Sequence, residues 1–201
     1  MTLKLKHLIT ILGLFAFSFS KGQTNKAIME YLNVPGPIIL NKTTFNLAWT
    51  SHPSANYYKQ EYITPKGNIE KYTQMVSVEL LISNATPADL AKAKMDELKQ
   101  LKATNPIINY EIFQKNGEII LDFLISQNSA DGKKVNIIER NVYRYKTFSG
   151  KNGQKGVMLF GASERAYGSQ VDTFLSSLKK NKSVLLNAVA AFSLPQISIK
   201  A

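Results

Sequence analysis

Between Ile107 and Arg165 the chain offers four runs of strand-forming residues, "IINYEIFQ", "EIILDFLISQ", "KVNIIERNVYRYKTF" and "GVMLFGASER", and the breaks between them are short. Those breaks read "KNG", "NSADGK" and "SGKNGQK". Glycine, asparagine and aspartate supply the backbone angles and local hydrogen bonds that tight reversals need. Connections of this length join only antiparallel neighbours, because a parallel pair needs a crossover of roughly a dozen residues or more. The second half of the chain is therefore a meander, and the fold has to be built around an antiparallel sheet.

The first half adds to that sheet. "AIMEYLN" reads as one or two helical turns ended by "VPGP", and "IIL", "TFNLAWT", "NYYKQEYIT" and "IEKYTQMVSVELLIS" read as strands. In the third of these, Tyr58, Gln60 and Tyr62 share one face, and Tyr57, Lys59, Glu61 and Ile63 the other. Thr86 opens a helix: "TPAD" places an N-cap threonine, a proline at the first helical position and Asp89 three residues after the cap. Leu90, Ala91, Met95, Leu98 and Leu101 recur at helical spacing, and "TNP" stops the run. A second helical stretch carries Val171, Phe174, Leu175 and Leu178, then Leu185, Ala188, Val189 and Phe192, with "KKNKS" as a break between its halves.

Together these elements predict an α+β domain, a largely meander antiparallel sheet with a mid-chain helix and a C-terminal helical segment packed on it. Such a sheet can carry its helices on one face and leave the other wet. The order of elements over residues 38–192 resembles the PsbP/Mog1-like superfamily, and is similar to that of exported bacterial proteins. The resemblance is one of element order, so it implies a fold and carries over no activity and no site residue.

At the amino terminus, Lys4 and Lys6 precede an apolar run of twelve residues, Leu8 to Phe19, followed by Ser20 and Gly22. Charge, apolar run and small residues in that order predict a secretory signal peptide over residues 1–22, with a cut before Gln23. The run falls short of the ~20 apolar residues of a membrane span. A single domain over residues 23–201 remains, with no transmembrane segment expected in it. The chain has no cysteine, so the expectation is an exported protein, periplasmic or extracellular, that is no lipoprotein and has no disulfide framework. Lys4, Lys6 and Lys21 leave with the signal and no acid does, which takes the formal charge from +11 to +8. A soluble basic surface of this kind attracts anions.

Most common chemistries lack their residues. His7 sits in the signal, so His52 is the one histidine beyond it. Without cysteine, thiol nucleophiles and Cys-ligated zinc or iron–sulfur centres are excluded. "GKNGQKG" lacks the spacing of a phosphate loop and joins two strands. "NVYRYKTF" interleaves base and aromatic residues, yet no nucleic-acid motif surrounds it, and no nucleic-acid partner is expected. No metal, cofactor or catalytic residue is assigned. An acid pair remains open among Glu61, Glu79, Asp122, Glu139 and Glu164, which would suit a hydrolase acting on glycans.

Arginine is the one residue type whose use stands out. The chain has 25 lysines and arginines, of which only Arg140, Arg144 and Arg165 are arginine, all within 26 positions. On a strand, Arg140, Val142, Arg144 and Lys146 share a face, and Glu139, Asn141, Tyr143 and Tyr145 share the other. Pairing through the two turns sets Asp122 opposite Arg140 on one side. On the other side it sets Glu164 opposite Arg140 and Phe160 opposite Arg144. Two readings follow. Arginine's planar fork suits cross-strand pairing with acids, at about 0.2–1 kcal/mol per pair. Alternatively the face of Arg140 and Arg144, with Arg165 near the end of the next strand, binds an anionic ligand. The functional expectation is an exported, non-catalytic binding or structural module whose partner is a cell-envelope component or an anionic ligand.

Overall fold

The computed structural model describes residues 28–151 and 153–200. The signal peptide read at residues 1–22 lies outside the described residues. Strands β1 (Ile38–Leu40), β2 (Thr43–Ser54), β3 (Tyr57–Ile63) and β4 (Gln74–Ile82) form a first meander. Helix α1 (Pro87–Lys102) follows, and β5 (Asn109–Lys115), β6 (Glu118–Asn128), β7 (Val135–Ser149) and β8 (Lys155–Tyr167) form a second. A single 3-10 turn, Gly168–Gln170, then leads into α2 (Val171–Ala191). The strands make one eight-stranded sheet in the order β1-β2-β3-β4-β8-β7-β6-β5, antiparallel throughout. The meanders therefore join at β4 and β8, in the middle of the sheet, and the α1 connection carries the chain to the far edge. The expected α+β architecture holds.

Local chemistry explains the element ends. Asn116 and Gly117 both have positive φ, 52° and 78°, the two-residue reversal whose twist matches paired strands. At the start of α1 the Thr86 hydroxyl accepts from the Asp89 amide at 3.2 Å, and the Asp89 carboxylate accepts from the Thr86 amide at 2.8 Å. This is the capping box read from "TPAD". In α2 the break falls at Asn181, whose φ of −119° and ψ of 21° leave the helical region.

One expected helix is absent. Residues 28–33 form no helical turn, because their amides find side-chain acceptors: Tyr31 and Leu32 donate to Gln60 Oε1 (2.7 and 3.0 Å), and Leu32 and Val34 to Glu30 Oε1 (2.9 and 2.8 Å). The extended C-terminal residues lie alongside, with the Ser198 amide on the Leu32 carbonyl and the Lys200 amide on that of Tyr31.

Both sheet faces are covered, rather than one left wet. On the first, Tyr62, Val76, Val78, Val142 and Phe160 pack with Leu185 and Val189 of α2. On the second, Leu81, Leu121, Tyr145 and Leu159 pack with Leu90, Ala91 and Leu98 of α1. Each such aliphatic side chain contributes about 1.5–3 kcal/mol on full burial. Among the described residues no helix is long and apolar enough to cross a membrane.

Candidate functional site

The register around β7 places the arginines. Across β8, Arg140 faces Glu164 and Arg144 faces Phe160, as the turn predicts. Across β6 the register differs by two: Leu124 faces Arg140, and Asp122 faces Val142. A bulge supplies one of those two residues. Asn128 pairs with Val135 and Gln127 with Ile137, which leaves Asn136 as an extra residue on β7. A shift of two keeps every side chain on its expected face, and the diagonal neighbour stays within reach of a long side chain.

Arg140 accordingly still meets Asp122, with Nε on Oδ1 at 3.0 Å and Nη2 on Oδ2 at 2.7 Å. Both side chains are buried, at 2 % and 6 % exposure. The same Nη2 donates to the Lys182 carbonyl at 2.5 Å, one residue past the break in α2. Arg144 repeats the pattern four residues on. Its Nε donates to Glu118 Oε2 at 2.5 Å, and its Nη1 to the carbonyls of Val189, Ala190 and Phe192 at 2.9–3.0 Å. Cationic donors suit the last turn of a helix, where carbonyls lack amide partners and the dipole is negative. Burial alone would raise the Glu118 carboxyl, but hydrogen bonds from Arg144 and Lys146 hold it below its ordinary range.

Arg165 lies opposite Glu139, near the end of β8, where it borders the same cleft as Arg140. There it donates to Glu139 and stacks 4.0 Å from the centre of the Tyr72 ring, while Tyr72 Oη donates to Glu139 at 2.8 Å. Strand alternation turns residues 165 and 164 opposite ways, and Glu164 is the residue that shares the face of Arg140.

Beneath α1 the other charged residues also close on one another. Lys59 bridges Glu61 at 2.8 Å and Glu79 at 3.6 Å, and Tyr57 donates to Glu79 at 2.6 Å. Burial alone would lower the Lys59 ammonium, but Glu61 and Glu79 hold it well above the lysine range. Glu79 and Glu139 line a cavity of only about 30 Å³, the room one water occupies. His52 stacks on Tyr58 with centroids 4.0 Å apart, and Ser54 donates to Asn56, so the histidine and its neighbouring serine form no catalytic array.

The open site is a cleft of about 630 Å³ on the α2 face. Its floor is Thr73 and Gln74 at the start of β4, Arg140 of β7 and Glu164 and Arg165 of β8; its wall is Phe174, Ser177, Leu178, Asn181, Val184 and Leu185 of α2. The volume falls in the range of small-molecule sites, roughly 300–1,000 Å³. Glu164 makes neither a hydrogen bond nor a salt bridge among the described residues. Burial holds its carboxyl above the ordinary range; Arg140 lowers it, Asp122 raises it, and burial prevails. Arg140 offers little relief, because Asp122 and the Lys182 carbonyl occupy its fork. A second hollow of similar volume, between the β7–β8 hairpin and the C-terminal residues, is lined by Lys146, Lys151 and Ile197, among others. Lys146 there already pairs with Glu118 at 3.1 Å.

Sequence reasoning passed over Glu118, Gln74 and Asn181. Glu118 was within reach of it: the "NG" turn puts that residue first on β6, and a same-face diagonal to Arg144 follows from alternation. Among the described residues no cluster of histidine, aspartate and glutamate has metal-binding geometry. The chain belongs to a protein family whose model matches residues 32–194, a span that contains the cleft and all three arginines. No curated protein and no solved structure matches the chain.

Proposed function

From the export signal read at residues 1–22 and the geometry of the α2 face, we propose that the protein is an exported, non-catalytic binding module of the cell envelope, with its ligand in the cleft between α2 and the β4–β8 floor. One observation carries the reading. Every arginine has a carboxylate partner, whereas the Glu164 carboxylate faces an open cleft without one. Buried charge in a folded domain is ordinarily paired. An unpaired carboxylate at the floor of a hollow of ligand size marks where a partner from outside fits. The anionic ligand expected for Arg140, Arg144 and Arg165 is no part of this reading, since each guanidinium already pairs with a carboxylate.

The rival reading is an acid-pair hydrolase acting on glycans. It has in its favour the raised Glu164 carboxyl, suited to a general acid. Its second acid is missing from the cleft, because Asp122 is bound bidentately beneath Arg140 and does not line the hollow.

An NMR titration with a panel of small-molecule fragments tests the proposal. Binders should shift the amides of Gln74, Glu164 and Asn181, and Ser177→Trp, which fills the cleft from α2, should abolish those shifts. Shifts confined to other surfaces, or unaffected by the tryptophan, overturn the cleft reading. Turnover of an aryl glycoside that disappears in Glu164→Gln would replace it with the hydrolase.

A further inference from the structure

Resting on the cleft reading, we propose that the ligand is a monocationic amine carrying an apolar chain, its ammonium seated against Glu164 and its chain against α2. The charge balance points that way. Arg140 is neutralised by Asp122 and Arg165 by Glu139, so the floor is left with the one negative charge of Glu164. No lysine is among the residues lining the cleft. Lys182 directs its ammonium away, to Glu111 of β5.

An anion placed here would meet the like charge of Glu164, and a neutral ligand would leave the carboxylate half-buried and unpaired.

The wall defines the rest of the molecule. Phe174, Leu178, Val184 and Leu185 present an apolar strip, and Val184 is 48 % exposed. Ser177 and Asn181 lie on that wall as neutral hydrogen-bonding groups. A carboxylate at one end and an aliphatic–aromatic strip at the other fit a short amphiphile with its charge at one terminus.

Calorimetric titration of the whole protein with hexylammonium, hexanol and hexanoate tests this. These probes share a chain and differ only in the head group. Hexylammonium should bind about tenfold more tightly than hexanol, as a charge-assisted contact does relative to a neutral one, and hexanoate should bind worst. Glu164→Gln, nearly isosteric, should bring hexylammonium down to the level of hexanol. Ser177→Trp, on the exposed side of α2, should block both. Equal or tighter binding of hexanol or hexanoate, or a preference for the ammonium that survives Glu164→Gln, overturns the ligand class and leaves the cleft standing. Failure of hexylammonium to bind overturns it too, and the fragment titration then decides the cleft separately.

Discussion

Under α1 the charged side chains close on one another, whereas under α2 they reach across to the helix. On the α1 face Lys59, Glu61, Glu79, Glu139 and Arg165 satisfy each other with help from Tyr57 and Tyr72, around a cavity with room for about one water. On the α2 face Arg140 and Arg144 each divide a guanidinium between a carboxylate on β6 and carbonyls of the helix. The first arrangement holds the sheet to itself. The second holds a helix to the sheet, and it leaves one acid, Glu164, with nothing to hold. A five-donor fork explains why these positions are arginine in a chain rich in lysine: a single ammonium cannot reach a carboxylate and several carbonyls in fixed directions.

The largest expected effect breaks the α2 side of the comparison. Arg140→Met strands Asp122 as a buried, unpaired charge and should cost about 3–5 kcal/mol in urea unfolding. Adding Asp122→Leu should recover a large part of that loss, because the penalty lies in the orphaned charge. Equal stability of the single and double variants would show that Arg140 acts through the Lys182 carbonyl alone.

On the α1 face Gly161→Ala is the sharper probe. A Cβ there would stand 2.5 Å from Ser77 Oγ and 3.1 Å from the Tyr143 ring, so the ring that lies over this glycine must move. Overpacking of this kind costs about 1–3 kcal/mol. The loss should appear with shifts in Tyr143 and Tyr145 and none in α2, a separation that two-dimensional NMR can read.

Arg144→Lys should cost about 1–2 kcal/mol, through the helix end alone. Lysine can keep Glu118 but not three carbonyls together. Hydrogen exchange should therefore accelerate over residues 186–192 while the sheet amides stay protected.

The smallest effect is one of sign. Glu164 has its folded pKa raised by burial, so its contribution is most favourable in acid and is lost as pH rises through that folded value. Glu118, lowered by Arg144 and Lys146 against the effect of burial, contributes above its unfolded value and loses that contribution as pH falls. Glu164→Gln should thus stabilise the protein at neutral pH and Glu118→Gln destabilise it, with both differences shrinking in acid. Stability curves over pH 3–8, roughly the range in which glutamates titrate, check the pair together. Two slopes of the same sign would remove the distinction between a satisfied and an unsatisfied acid on one face.

Much of this was legible in the chain. Alternation along "ERNVYRYK" assigned Arg140 and Arg144 to one face and Glu139, Asn141, Tyr143 and Tyr145 to the other. The capping box at Thr86 and the break near Asn181 were read from residue type, and the β7–β8 register from turn length. The β6–β7 register was not: a bulged residue in "GKKVNII" supplies one of the two residues of difference and leaves no sign in the pattern, and the turn itself pairs one residue away from where its length suggests. The same β7–β8 register sets Arg165 opposite Glu139.

The sequence by itself determined which side chains travel together, since two-residue and 3.6-residue periods are properties of the local backbone. Tertiary structure alone decided what those side chains meet. Arg140 finds its carbonyl 42 residues away and Arg144 finds acceptors 45 to 48 residues away, on a helix whose height over the sheet is set by Phe160, Leu185, Val189 and their neighbours. The cleft arises in the same way. It is the space left where a helix broken at Asn181 crosses the junction of two meanders, and that junction of β4 with β8 is a long-range contact to which local patterns are blind.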